Sequence, residues 1–257
     1  MIDLTISLTY YGQVDKLVNH CNFFTELDDV LKNRITVQLI NDGADDQGIF
    51  TDILKLYKDS FNLRGYVVKQ DIGFNNHGCR NLAMLKSKTH WNWLIDIDAQ
   101  PEPELIEAIL TTPLKEEHFY VFEVFFDHID NPEDYDLYDP KKILKWVAHP
   151  NVWLITKPCF WSSGGYDMEF AGMRHGDQEF FEAIDKEKYD HFLFHPDLEE
   201  KHKLYINSPN RARSYLNQIT EHVGYLNKCV DFVAKRNDNK DRKFKKRLIC
   251  FDWERVV

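Results

Sequence analysis

The segment Trp93-Leu94-Ile95-Asp96-Ile97-Asp98 restricts most strongly what this chain can fold into. An apolar run suited to a buried strand ends there in two carboxylates spaced i, i+2. Residues two apart on a strand share a face, so Asp96 and Asp98 are expected to project together from a strand end. Adjacent like charges resist burial without a cation. A hard divalent ion with oxygen ligands satisfies them, above all one that also bridges a phosphate. Acid-x-acid triplets are common in acidic chains, so the specificity has to come from the neighbouring segments.

Those neighbours predict an alternating order. Leu4, Ile6 and Leu8 alternate as a strand should, and Val14, Leu17, Val18, Cys21, Phe24 and Leu27 follow with helical spacing. A second strand, 35–40, stops at Asn41-Asp42-Gly43, a strong turn signal. Ile49, Ile53, Leu54 and Tyr57 predict a helix, 66–69 a third strand, 77–86 a helix and 91–96 a fourth strand. This βαβαβαβ order implies an α/β fold whose sheet is mainly parallel, with helices on both faces and ligands beyond the carboxyl ends of the strands. Thr9, Tyr10, Asp42, Asp96 and Asp98 all fall at such ends. Downstream come a helix near 103–110, aromatic strands around 119–126, an acidic loop over 127–139, and a strand over 152–156. The last leads into Trp161-Ser162-Ser163-Gly164-Gly165-Tyr166, a flexible polar stretch suited to close backbone approach to a ligand.

With 257 residues, 43% of them hydrophobic, the chain can bury a full core. Its start runs straight into a strand pattern without a basic leader, and no eighteen-residue apolar run occurs, so it reads as soluble and cytoplasmic. Five widely spaced cysteines suggest buried thiols, with neither a disulfide framework nor a zinc site. The net charge of -10 is uneven: residues 235–247 hold eight basic and two acidic residues. The acidic body argues against general nucleic-acid binding, while this basic tail leaves a local contact open. Before it, Ser208-Pro209 opens a helix over 209–234 whose narrow apolar seam either docks on the body or forms a homodimer contact.

Taken together, the motifs resemble those of glycosyltransferase family 2, whose members have the GT-A fold. Leu8-Thr9-Tyr10-Tyr11 resembles the strand end bordering the nucleobase, and Leu39-Ile40-Asn41-Asp42-Gly43 the family's V-D-D-G-S station, with Asn41 in place of the first acid. Asn76-His77-Gly78-Cys79-Arg80-Asn81 resembles the N-x-G…A-R-N segment, at the family's distance ahead of Asp96-Ile97-Asp98. Gly164-Gly165-Tyr166-Asp167-Met168-Glu169-Phe170, followed by Gly176-Asp177-Gln178-Glu179-Phe180, is similar to the G-G-x-D-E-x-F…E-D-x-D-F block, with Gly176 replacing the usual Glu. Phe192-Leu193-Phe194-His195-Pro196 resembles a strand whose histidine completes the metal shell in several GT-A enzymes. The resemblance spans about residues 4–196.

The resemblance implies a GT-A (Rossmann-like) domain over 1–206, with a nucleotide-binding half (1–100) and an acceptor half (101–206), and a C-terminal helix and basic tail over 207–257. It implies an inverting, nucleotide-sugar-dependent transferase in which Asp98, Asp96 and His195 hold Mn²⁺ or Mg²⁺, with His191 a spare ligand. Asp177 is then the base that takes the acceptor's proton, and Glu179 is the alternative base. Asp42 would bond the imide N–H of a uracil or thymine beside Thr9 and Tyr10, while Arg80 contacts base or phosphates. Trp161, next to Gly164 and Gly165, is placed to stack on a sugar. Read without the resemblance, Asp177 is a helix-opening acid, Asp42 an Asx-turn residue, Arg80 a surface ion-pair partner and His195 a residue closing a strand.

The acceptor is open: a surface glycan or lipid-linked sugar, or a hydroxymethylated base on viral DNA held through the basic tail. A nucleotidyltransferase is disfavoured, because Thr9-Tyr10-Tyr11-Gly12-Gln13 is not a glycine-rich phosphate loop. A non-catalytic nucleotide- or carbohydrate-binding module is disfavoured by the joint presence of the acid pair and Asp177.

Overall fold

The computed structural model describes residues 3–72, 75–126, 148–171, 176–193, 204–206, 249 and 251–257. Four parallel strands form its first half: β1 (Leu4–Tyr10), β2 (Ile35–Asn41), β3 (Leu63–Val68) and β4 (Trp91–Asp96). Helices α1 (Val14–Glu26), α2 (Asp29–Arg34), α3 (Gln47–Tyr57) and α4 (Asn76–Lys86) connect them. Strand β2 is buried along its whole length, as a strand covered on both faces must be, and its polar Thr36, Gln38 and Asn41 are buried with it.

The second half adds β5 (Ala99–Gln100), α5 (Pro103–Thr111), β6 (His118–Phe126), β7 (Ala148–Thr156), α6 (Lys157–Ser162), a 3₁₀ turn at Met168–Phe170, α7 (Gly176–Ala183), β8 (Asp190–Leu193), β9 (Leu204–Ile206) and β10 (Trp253–Arg255). The sheet order is β10-β3-β2-β1-β4-β7-β6-β9-β5, with β8 also paired to β6. Pairing turns antiparallel at β4/β7. Two apolar layers sandwich the sheet. One joins α1, α3 and α5 through Leu17, Phe24, Phe50, Leu54 and Ile106. The other joins α4, α6 and α7 through Leu82, Met84, Phe160 and Phe180. Among the described residues, no helix is long and apolar enough to cross a membrane.

Several elements differ from expectation. Helix α2 is too short to show a period, but Asp28 caps it, accepting the Leu31 N–H at 2.8 Å. Trp161 and Ser162, expected in a flexible stretch, belong to α6, which Thr156 caps by accepting the Cys159 N–H. Strand β3 starts at Leu63, three residues before the predicted Tyr66. The helix expected over 209–234 and the basic residues 235–247 lie outside the described residues. Beyond them the chain rejoins the sheet: β10 runs antiparallel to β3, and the Gly65 N–H donates to the Val257 carbonyl at 3.2 Å. Phe251 is buried in the second apolar layer.

Candidate active site

Strand register gathers the expected donor residues at one edge. Thr9 pairs with Ile40 on one side and Asp96 on the other, and Tyr10 pairs with Asn41. The strand order reverses about β1, so its junction with β4 is a topological switch point, where α/β sheets bind ligands.

Helix α4 dominates the site. It lies across the sheet with a buried polar face carrying Asn76, His77, Arg80 and Asn81. The Arg80 guanidinium donates to Asp96 Oδ1 at 2.8 Å, to Tyr166 Oη at 2.9 Å and to Asp177 Oδ1 at 3.4 Å. Burial works against its charge, but Tyr166, Asp96 and Asp177 outweigh that and raise its pKa further. Asn76 adds a 3.3 Å bond to Asp96 Oδ1. The side chain of Asn81 grips the backbone of Tyr166, donating to its carbonyl and accepting its N–H, each at 2.8 Å. The surface ion-pair reading of Arg80 is therefore corrected: the residue is buried between two carboxylates.

Asp177 sits in the first turn of α7, whose N-terminus favours a negative charge. Burial pushes its carboxyl up, yet the hydrogen bond and charge of His77, together with Arg80, hold it below the usual carboxylate range. It is thus a proton-free acceptor at neutral pH.

The Asp42 carboxyl is turned inward against the start of α4. Its Oδ2 accepts the Asn75 N–H at 2.9 Å, while Oδ1 is buried and has no hydrogen-bond partner among the described residues. Burial pushes its pKa up to about 7, against the opposing effects of the Asn75 N–H and the Cys79 thiol. Asn41 bonds the Ala44 N–H at 2.9 Å and so closes the turn. Gly43 has φ +76°, and a Cβ there would come within 2.5 Å of the Gln70 carbonyl, so only glycine suits this turn. Tyr10 does not border an open pocket: its side chain is buried and its hydroxyl donates to Asp46. Thr9 is half-buried.

The acid pair tests the expected metal. Arg80 supplies the positive charge that Asp96 needs for burial, and Asp98 adds a second carboxylate at the same strand end. Among the described residues no group of three His, Cys, Asp or Glu side chains forms a cage. Mg²⁺ and Mn²⁺ sites of this class use one or two carboxylates and complete their shell with water and substrate phosphates, so the donor set fits an ion that arrives with a diphosphate. His20, buried on α1, braces the strand end through a 2.9 Å bond to the Ile97 carbonyl, and burial lowers its pKa to about 4, so it is neutral and donates. His195 lies outside the described residues, and of His191 only the backbone, in β8, is described.

On the acceptor side, Gly164 and Gly165 adopt positive φ, 78° and 77°, and turn the chain from α6 toward Tyr166. Trp161 is half-buried, packed edge-on against Phe160 at 4.8 Å. Glu179 is half-buried on α7.

No protein-family model matches the sequence, and no curated protein matches it. Solved structures do. The chain is similar to S. aureus TarS 1-349, at 13% identity and TM-score 0.56, over 81% of this chain and 61% of that one. The mannosyltransferase PcManGT of Pyrobaculum calidifontis, in complex with GDP-Man and Mn²⁺, matches at 14% identity and TM-score 0.53, over 81% of this chain and 57% of that one. A Drosophila β-1,4-galactosyltransferase 7 mutant, in complex with manganese, UDP-Gal and xylobiose, matches at 10% identity and TM-score 0.51, over 83% and 74%. The fold is the α/β GT-A type. The chain spans about three fifths of the length of the first two.

Sequence reasoning did not single out His77, Asn81, Tyr166 or His20 for a role. The first three lay within quoted motifs but were given none. His77 and Arg80 are i, i+3 on α4, a spacing that places two side chains on one helix face and could have flagged the pair.

Proposed function

We propose that this chain is a metal-dependent, inverting glycosyltransferase that moves a sugar from a nucleotide diphosphate sugar, of the uridine type, to a hydroxyl acceptor. The observation that carries this reading is the Arg80 bridge: one buried guanidinium holds the strand-end Asp96 and the helix-opening Asp177 together at the sheet's switch point. Support also comes from the fold, shared with TarS, which has been solved with UDP and with UDP-GlcNAc, and with PcManGT, solved with GDP-Man and Mn²⁺.

Each residue then has one task. Asp42 Oδ1 accepts the imide N–H of the base beside Thr9. Asp98, aided by Asp96, holds Mn²⁺ or Mg²⁺, which when bound supplies Lewis-acid stabilisation of the departing diphosphate. Asp177 accepts the acceptor hydroxyl's proton as that oxygen forms its bond to the anomeric carbon. The bond from that carbon to phosphate oxygen breaks on the opposite face, and its electron pair leaves with the diphosphate. A base so placed contributes about 10²–10⁴-fold. Arg80 keeps Asp177 ionised and Asp96 in place.

The test is thermal stability with UDP, dTDP, GDP and CMP, each with Mn²⁺ and again with EDTA. A ligand that binds only the native state raises the melting temperature. The expected result is a metal-dependent rise with UDP or dTDP that Asp98→Ala abolishes. No shift with any nucleotide in folded protein overturns the proposal.

A further inference from the structure

His77 is fully buried and touches the site from a direction the sequence did not suggest. Its ring stacks on Tyr166 with centroids 5.2 Å apart and planes 24° apart, and Tyr166 stacks in turn on Phe180 at 4.2 Å. Its Nε2 lies 3.5 Å from Asp177 Oδ2, while Arg80 reaches the other oxygen, Oδ1, at 3.4 Å. His77 and Arg80 are one helical turn apart, so a single helix face addresses both oxygens of one carboxylate. The room for the imidazole comes from residue 176. A Cβ on Gly176 would stand 2.6–2.8 Å from three atoms of the ring, too close for any side chain while His77 keeps its place.

We propose that His77 is a positioning residue for Asp177, seated by the missing side chain of Gly176, and that it orients the carboxylate which takes the acceptor's proton. The inference rests on the transferase reading of Asp177. In this role His77 donates through Nε2–H to Asp177 Oδ2. The hydroxyl proton moves to Asp177, the new bond forms from the acceptor oxygen to the anomeric carbon, and the electron pair of the broken bond leaves on the diphosphate. With its ring buried under Gly176, His77 does not reach the substrate, which separates its role from that of a base.

The experiment measures nucleotide release from UDP-glucose, UDP-GlcNAc, UDP-galactose and GDP-mannose with Mn²⁺, water serving as acceptor, for the wild type, His77→Phe, His77→Gln and Gly176→Ala. Phe keeps the ring stack but has no donor, and its kcat is expected to fall about 100-fold with KM for the nucleotide sugar unchanged. Gln places an N–H donor near the same point and is expected to recover about tenfold of that loss. Gly176→Ala removes no polar group but displaces the His77 ring from Asp177, and is expected to repeat the Phe result even if His77→Phe does not fold. Wild-type kcat in His77→Phe, or equal losses in Phe and Gln that track melting temperature, overturns the inference alone. No release by the wild type from any of the four overturns the transferase reading and this inference with it.

Discussion

Arg80 donates to Asp96 at 2.8 Å from a position that is almost fully buried. Its second amino group meets Asp177 at 3.4 Å, so one cation offsets two carboxylates. Removing it leaves both acids buried beside each other. Arg80→Met is therefore expected to lower stability by about 3–5 kcal/mol at pH 7, the usual cost of stripping one partner from a buried pair. The deficit shrinks at pH 5, where protonation relieves the repulsion. Urea unfolding at the two pH values checks both statements, and an undiminished deficit at pH 5 refutes the charge argument.

Asp42 contributes the opposite pH dependence to that of a salt-bridged acid. Its folded pKa is about 7, above the ordinary value of 3.8, because burial outweighs its hydrogen bonds. Between these values the folded state holds the proton more tightly than the unfolded chain, so stability falls as pH rises from about 4 to about 7 and then levels off. Asp42→Asn removes this loss and is expected to be more stable than the wild type at pH 8 by on the order of 2–4 kcal/mol. The same variant is expected to lack the thermal shift proposed for UDP. Melting curves from pH 4 to 8, with and without UDP and Mn²⁺, separate the two effects.

Asn81 fixes Tyr166 through both backbone groups, and Tyr166 in turn carries Arg80 and the His77 stack. Asn81→Leu strands a buried N–H and a buried carbonyl, which costs about 2–4 kcal/mol. Asn81→Asp still accepts the N–H but faces the carbonyl with a like partial charge, so it is expected to remain well below the wild type. Chemical denaturation of both variants checks the order.

Deleting residues 251–257 takes away β10, exposes the edge of β3 and empties the place of Phe251, whose ring lies 2.5 Å from where a Cβ on Gly78 would stand. Loss of the aromatic alone is worth about 3–5 kcal/mol, and the bared edge invites intermolecular pairing. The truncated protein is expected to melt at a lower temperature and to elute partly as aggregate in size-exclusion chromatography. Wild-type melting with a monodisperse peak counts against a structural role for this segment.

The parallel half of the fold was legible because Leu4, Ile6 and Leu8, the run 35–40 and the run ending at Asp96 carry their own burial in the local pattern. Strands β5 and β9 have two and three residues, too few for any period, and β10 owes its place to β3, about 185 positions earlier. The site divides along the same line. Asp42, Asp96 and Asp98 announce themselves by lying at strand ends. The setting of His77 depends on Gly176, and a missing side chain a hundred positions away leaves no local trace. Tyr10 shows the converse: it occupies a strand end, yet its ring turns into the core to meet Asp46 and Phe50.

Helix α4 touches the Asp42 carboxyl at its opening turn and meets Asp96, Asp177 and Tyr166 further along. These contacts all come from one continuous helix of eleven residues. The carboxylate proposed to read the base and the one proposed to take the proton are therefore both tied to one helix, so a tilt of that helix would disturb both together. Amide hydrogen exchange along 76–86 would report that tilt as a change shared by the whole helix.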